Sequence, residues 1–227
     1  MDKLDKYGKV MSVETYKLYY WFQRVLVFLF YQILWGVKIE GQENVSFSET
    51  YIILSNHCSN VDPPLVGFAV KRPIAYMAKS ELFKVPILKQ IIHWSGAYAV
   101  KRKAGDNSFI ENTKYALDNG WLITIFPEGG RSPDGKFMPM KSGVARILLD
   151  TKVSFLPVAI IDSDKAWGKG KKIKFRQTLK VKIGKLVKPS DYMPSEDLTF
   201  EEKIDYIKNI YGQKILELLP EQHRPNV

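Results

Sequence analysis

Cysteine is nearly absent from this sequence. Cys58 stands alone among 227 residues, so no disulfide can close within the chain and no cysteine-based zinc cluster can be built. A reducing, cytosolic compartment is the expectation. Histidine is scarce too, at three residues, which limits a proton-transferring imidazole to His57, His93 or His223. There is no Gly-x-Ser-x-Gly elbow, the strained turn on which many serine hydrolases mount their nucleophile, and that class is disfavoured. Internal repeats and low-complexity tracts are also missing. Acidic residues are in deficit, 24 against 34 Lys and Arg, leaving a net charge of +10. Such an excess of cations implies an anionic partner: a nucleic acid, an acidic protein or an anionic lipid surface.

What is present reads as one substantial core with an appendage. The apolar share of 45% and charged share of 26% suit a globular chain and argue against both disorder and a many-span membrane protein. One apolar stretch stands out, Leu18 to Val37, which is long enough to span a bilayer as a helix. Against spanning, Arg24 falls inside it, and eight aromatics from Tyr19 to Trp35 line its whole length, whereas Trp and Tyr favour the interface. The favoured reading is a monotopic helix lying in one leaflet. A true span and a buried core helix remain open. A cleaved secretory leader is not expected, because mixed charges precede the stretch and no small-residue cleavage pattern follows it. Residues 1–37 are therefore assigned to membrane binding and residues 38–227 to a second, α/β unit.

From Val37 onward, short apolar runs alternate with amphipathic stretches. Strands are predicted at Val37 to Glu40, Tyr51 to Ser55, Ile74 to Ala78, Ala97 to Val100, Leu122 to Phe126 and Phe155 to Ile161. Helical periodicity appears at Phe109 to Leu117 and Ala145 to Leu149. The alternation predicts an α/β fold with a largely parallel central sheet and flanking helices. Lys172 to Gln177 and Leu179 to Ile183 read as a hairpin at the sheet edge. Thr199 and Glu202 have capping-box spacing ahead of an amphipathic helix that carries Ile204, Ile207, Tyr211, Ile215 and Leu218 on one face.

Two stretches carry candidate chemistry. In Tyr51-Ile-Ile-Leu-Ser-Asn-His57-Cys-Ser-Asn-Val-Asp62-Pro63-Pro64, a buried strand ends in a polar turn and a helix begins, with Asp62 as its expected N-cap and Pro63 in its first turn. His57 then lies at the carboxyl end of a strand, where open α/β sheets place ligands. If the turn folds back, Asp62 can accept from one imidazole nitrogen and leave the other free to take a proton from a hydroxyl. A hydrogen-bonded loop histidine is the plain alternative. Cys58 is a rival nucleophile, disfavoured because adjacent residues on an extended chain point apart. His93 sits in an apolar stretch and His223 in a polar tail. In the second stretch, Phe126-Pro-Glu128-Gly129-Gly130-Arg131-Ser132 follows another apolar strand. Its glycines permit close backbone approach to a ligand, and the Arg131 guanidinium suits a pair of phosphate oxygens. Glu128 could hold that arginine or a glycerol hydroxyl. A plain turn with a surface salt bridge is the competing reading.

NHCSNVD, GAYAVKR (Gly96 to Arg102), FPEGGRS and FLPVAI (Phe155 to Ile160) occur in this order. Together they resemble the four motifs of the glycerolipid acyltransferases, most closely the bacterial 1-acyl-glycerol-3-phosphate acyltransferases. The resemblance implies His57 as general base and Asp62 as its orienter. It implies Arg102, Glu128, Gly129 and Arg131 around the phosphate and glycerol of the acceptor, and Pro157 in a strand supporting the acyl-chain site. Lys141, ahead of Gly143, resembles a basic site found downstream of the third block. Two positions depart from the pattern: Ala99 stands where Phe is common and Gly130 where Thr is common, which bears on acceptor preference. The implied reaction needs no metal and no resident cofactor. Its co-substrate would be acyl-coenzyme A or acyl-acyl carrier protein, its acceptor lysophosphatidic acid, and its location the cytoplasmic face of the cell membrane, held by anionic lipid. A different lysolipid or glycerol-3-phosphate as acceptor, and a non-catalytic basic membrane or nucleic-acid module built on Lys165 to Lys174, are the alternatives. A nucleic-acid binder would have no use for the apolar N-terminal stretch, so nucleic acid is not expected as a partner.

Overall fold

A computed structural model describes residues 25–26, 29–85, 89, 97–100 and 108–225. Seven strands form a single sheet in the order β1-β7-β6-β2-β5-β3-β4. They are β1 (Gly36–Glu40), β2 (Ile52–Ser55), β3 (Ile74–Lys79), β4 (Ala97–Val100), β5 (Leu122–Ile125), β6 (Phe155–Ile161) and β7 (Thr178–Ile183). β2 to β6 run parallel to one another, β7 runs antiparallel to β6, and β1 follows β7. The sheet is thus mixed, with five strands pointing one way and two the other.

Sequence pattern follows position in the sheet. β2, β5 and β6 are buried at every residue, which is why they read as apolar runs broken only by Ser55 and Thr124, as strands covered on both faces do. β7 alternates buried side chains with exposed or half-buried ones, β1 alternates half-buried with exposed, and both carry their charges outward, including Glu40 and Lys182, which face each other in register.

Successive residues of β2 serve two cores, since side chains alternate across a strand. Ile52 and Leu54 pack under α2 (Ser108–Asp118), α3 (Gly143–Thr151) and the long C-terminal helix α6 (Phe200–Leu218). Tyr51 and Ile53 pack on the other face under α1 (Asp62–Val70). The capping box of α6 forms as its spacing predicts, with the Thr199 side chain accepting from Glu202 N and Glu202 answering to the Thr199 backbone. Two short helices, α4 (Ser163–Trp167) and α5 (Pro189–Tyr192), bracket β7.

Two expectations are corrected. Lys172 to Gln177 forms no strand, and β7 lies inside the sheet between β1 and β6. The run alternates Lys with Ile173 and Phe175, yet residues 171–176 are all exposed, so no surface is present for one side of a strand to cover. β1 takes the edge position instead. Asp62 is the first helical residue of α1 and Val61 is the N-cap, because the carboxylate is engaged by the turn before it. In the stretch Leu18 to Val37, residues 18–24, 27 and 28 lie outside the described residues, and its end is folded onto the protein. Residues 29–34 are helical, Tyr31 and Trp35 are buried, and the Tyr31 hydroxyl donates to Val61 O at 2.5 Å. No helix among the described residues is long and apolar enough to cross a membrane.

Candidate active site

Because β2 and β5 are parallel neighbours, the turns that leave their carboxyl ends meet even though they lie some seventy residues apart in sequence. The first turn carries His57. Its Nδ1 lies 2.9 Å from Asp62 Oδ2, and the same oxygen accepts from Cys58 N and Ser59 N, each at 2.7 Å. Asp62 is fully buried. Oδ2 already accepts from two backbone N–H groups, so it serves as acceptor to the ring as well; the tautomer that fits places the proton on Nδ1 and leaves a lone pair on Nε2. The ring stacks on Phe126, with centroids 4.2 Å apart, and 16% of the side chain remains exposed. Nε2 has no partner among the described residues.

Asn56, one residue before the histidine, was not singled out in the sequence. Its side chain pairs with both backbone groups of Ile160, donating to the carbonyl at 2.8 Å and accepting from the N–H at 2.7 Å. The β2 to β6 pairing is thereby continued past the last ladder residue, and the turn starts from a fixed point. Ser59 Oγ donates to Trp167 O at 2.7 Å and fastens the other side of the turn.

Glu128 supplies the bridge between the two turns. One carboxylate oxygen accepts from His57 N at 2.6 Å and the other from Met138 N at 2.8 Å. Burial pushes its carboxyl up to about 7, assisted by the Asp62 and Asp134 carboxylates and opposed by the two backbone donors. Ser132 N completes the junction by donating to His57 O at 2.7 Å.

Gly129 adopts φ +70°, and a Cβ there would lie 2.7 Å from Lys141 Cδ and 3.0 Å from its Nζ. The glycine is needed twice, for its left-handed backbone and for the lysine that crosses it. Gly130 faces open space. Arg131 and Lys141 form no ion pair with any described residue. Pro157 lies in β6 opposite Leu54. Arg102 lies outside the described residues.

Cys58 is buried, and burial followed by the Asp62, Glu128 and Asp164 carboxylates pushes its thiol well above the ordinary range. A thiol so placed is not a nucleophile at neutral pH. His223, read from sequence as part of a polar tail, is also buried, with Nδ1 2.8 Å from Gly135 O and Nε2 3.2 Å from Asp162 Oδ1. No group of His, Cys, Asp and Glu among the described residues could hold a metal ion.

An imidazole oriented by a buried carboxylate at the carboxyl edge of an α/β sheet can act as a base, and the unpaired cations of the neighbouring glycine-rich segment can receive an anion. Residues 36–161 match the Acyltransferase family, and the chain belongs to it. Among its relatives are proteins named 1-acyl-sn-glycerol-3-phosphate acyltransferase. That of Limnanthes alba is 26% identical over 196 residues, covering 85% of this chain and 67% of that protein. That of Bacillus subtilis (strain 168) is 27% identical over 184 residues, covering 81% and 88%. The chain spans 60% of the length of the Cocos nucifera relative, to which it is 28% identical. The crystal structure of the 1-acyl-sn-glycerophosphate acyltransferase PlsC from Thermotoga maritima superposes with a TM-score of 0.67 at 26% identity, covering 91% of this chain and 79% of that one.

Proposed function

We propose that this acyltransferase moves a fatty acyl group from a thioester to the sn-2 hydroxyl of 1-acyl-glycerol-3-phosphate, giving phosphatidic acid. The observation that carries this reading is the His57–Asp62 pair, in a turn bonded at His57 N and His57 O to Glu128 and Ser132 on either side of Gly129–Arg131. The names of the relatives supply the acceptor. His57 Nε2 takes the hydroxyl proton as the alcohol oxygen attacks the thioester carbon. The C–S bond then breaks, and the proton passes from the imidazolium to the departing thiolate. A thiolate is a good leaving group, so one displacement through a tetrahedral adduct suffices, with no covalent enzyme intermediate and no metal. Arg131, Lys141 and, by sequence, Arg102 take the acceptor phosphate. Glu128 holds the base in register through its backbone. Acyl-coenzyme A or acyl-acyl carrier protein serves as donor. The enzyme works at the cytoplasmic face of the cell membrane, where residues 1–37 hold it in one leaflet.

The test is purified protein with lysophosphatidate and each donor in turn. Phosphatidate should form, and His57→Ala should reduce turnover at least about a hundredfold, the low end of what a positioned base contributes. Asp62→Asn should lose less. Retained turnover in a folded His57→Ala protein would overturn the mechanism.

A further inference from the structure

The sheet topology fixes which loops share an edge with His57. β2, β5 and β6 present their carboxyl ends there, and because β7 and β1 run the opposite way, their amino ends lie at that same edge. Two segments therefore emerge beside the active site: the helical residues 29–34 that lead into β1, and residues 168–177 that lead into β7. They are joined to each other. Trp35 Nε1 donates to Lys174 O at 2.6 Å, and Arg176 N donates to Leu34 O at 3.0 Å. The start of the second segment is joined to the catalytic turn by the Ser59 to Gly168 bridge.

Residues 169–176 are exposed without exception. Five of the eight are cations, Lys169, Lys171, Lys172, Lys174 and Arg176, and none forms an ion pair with a described residue. The nearby Lys165, by contrast, is paired with Asp162 at 2.7 Å. Among the five sit two large apolar side chains, Ile173 and Phe175, 41% and 58% exposed. Across the Trp35 and Leu34 bonds, Leu29, Phe30 and Ile33 are 46%, 51% and 76% exposed. Apolar side chains ringed by unpaired cations match the chemistry of a bilayer interface, where acyl chains lie beneath anionic headgroups. A nucleic-acid backbone would match the cations and leave the apolar residues in water. The loop forms no helix or strand, so the backbone groups outside its few hydrogen bonds must stay hydrated, which sets its depth at the headgroups.

We infer that the loop Lys169–Arg176 is a second membrane-docking element, which inserts Ile173 and Phe175 into an anionic leaflet and holds the His57 edge of the sheet against it together with residues 29–34. The inference rests on the acyltransferase reading of that edge but assigns a part of the chain outside the four motifs.

The experiment uses the full chain with phosphatidylcholine vesicles containing graded phosphatidylglycerol, and reads co-sedimentation and acyl transfer. Ile173→Asp combined with Phe175→Asp should weaken binding at least about tenfold at every composition. Replacing Lys169, Lys171, Lys172 and Lys174 by Glu should weaken it at least as much on anionic vesicles only, and should remove its salt dependence. Turnover of a short-chain, water-soluble acceptor should match the parent in both variants, which shows the fold and the site intact. Parental binding by both variants, with weakened binding only on deletion of residues 1–37, would overturn the loop assignment and leave the enzymatic reading standing. Parental vesicle binding with a selective loss of turnover on acyl-acyl carrier protein would overturn it in favour of an acidic carrier-protein site.

Discussion

Asp62 Oδ2 receives three N–H groups, two from the backbone and one from His57, while its Oδ1 is buried without a partner among the described residues. Its first duty is to shape the turn, and the imidazole takes the last place on an oxygen the backbone has already oriented. Glu128 has the same double character, and its raised carboxyl gives a sign that can be checked. Between the ordinary value of 4.5 and about 7 the folded protein holds a proton that the unfolded chain has released, so this group lowers stability as pH rises through that window. Glu128→Gln removes the titration but turns an amide NH2 toward one of the two backbone donors, at a cost of about 1 to 3 kcal/mol. Chemical denaturation should show the parent losing stability relative to the variant between about pH 5 and pH 7.5. The two glycines of the third block should separate cleanly. Gly129→Ala meets both a left-handed backbone and Lys141, for a loss of about 1 to 2 kcal/mol or more. Gly130→Thr enters open space and should change stability by less than about 0.5 kcal/mol, so any effect on turnover across a panel of lysolipid acceptors reports recognition.

Strands and helices were legible where one rule governed them. β6 and β4 have the residues the apolar runs predicted, and α6 starts at its capping box, since each is set by local pattern. The hairpin failed because strand neighbours are chosen at long range: nothing in Lys172–Gln177 announces that β1 already occupies the place beside β7. His223 was misread for a related reason. The stretch from Pro220 to Arg224 is polar, and only the folded chain brings Gly135 and Asp162 to its ring and turns Phe137 N toward its carbonyl at 2.8 Å. The tail thus clasps the loop whose Met138 N is held by Glu128. Replacing His223 by Ala should cost about 2 to 3 kcal/mol of stability, given one buried hydrogen bond, one half-buried one and a lost ring. Limited proteolysis should then cut between residues 129 and 140 sooner than in the parent. Unchanged cleavage would show that the clasp does not hold this loop.

At the scale of the molecule, base and phosphate-binding candidates share the sheet edge from which the N-terminal helix also departs. Of the site residues inferred from sequence, His57, Asp62, Glu128, Gly129 and Lys141 lie on two joined turns, and Arg131 continues the second. Their convergence could be anticipated from the motif order but not from spacing, because it depends on β2 and β5 being neighbours. On the proposed placement of the acceptor phosphate at Arg131, Arg131→Ala should raise the KM for lysophosphatidate more than that for the donor, and Lys should restore it poorly where a planar fork is needed. A larger effect on donor KM would move this arginine to the coenzyme or carrier side.

The single cysteine gives access to the motion of this edge. Cys58 Sγ sits within the His57 turn, 2% exposed, and can meet a water-soluble alkylating reagent only when the turn lets go of Asp62 or of Gly135. Its labelling rate under native conditions is then a clock for opening. If opening is local, the rate should depend far less steeply on denaturant than global unfolding does. Saturating lysophosphatidate should slow the clock without touching the thiol itself.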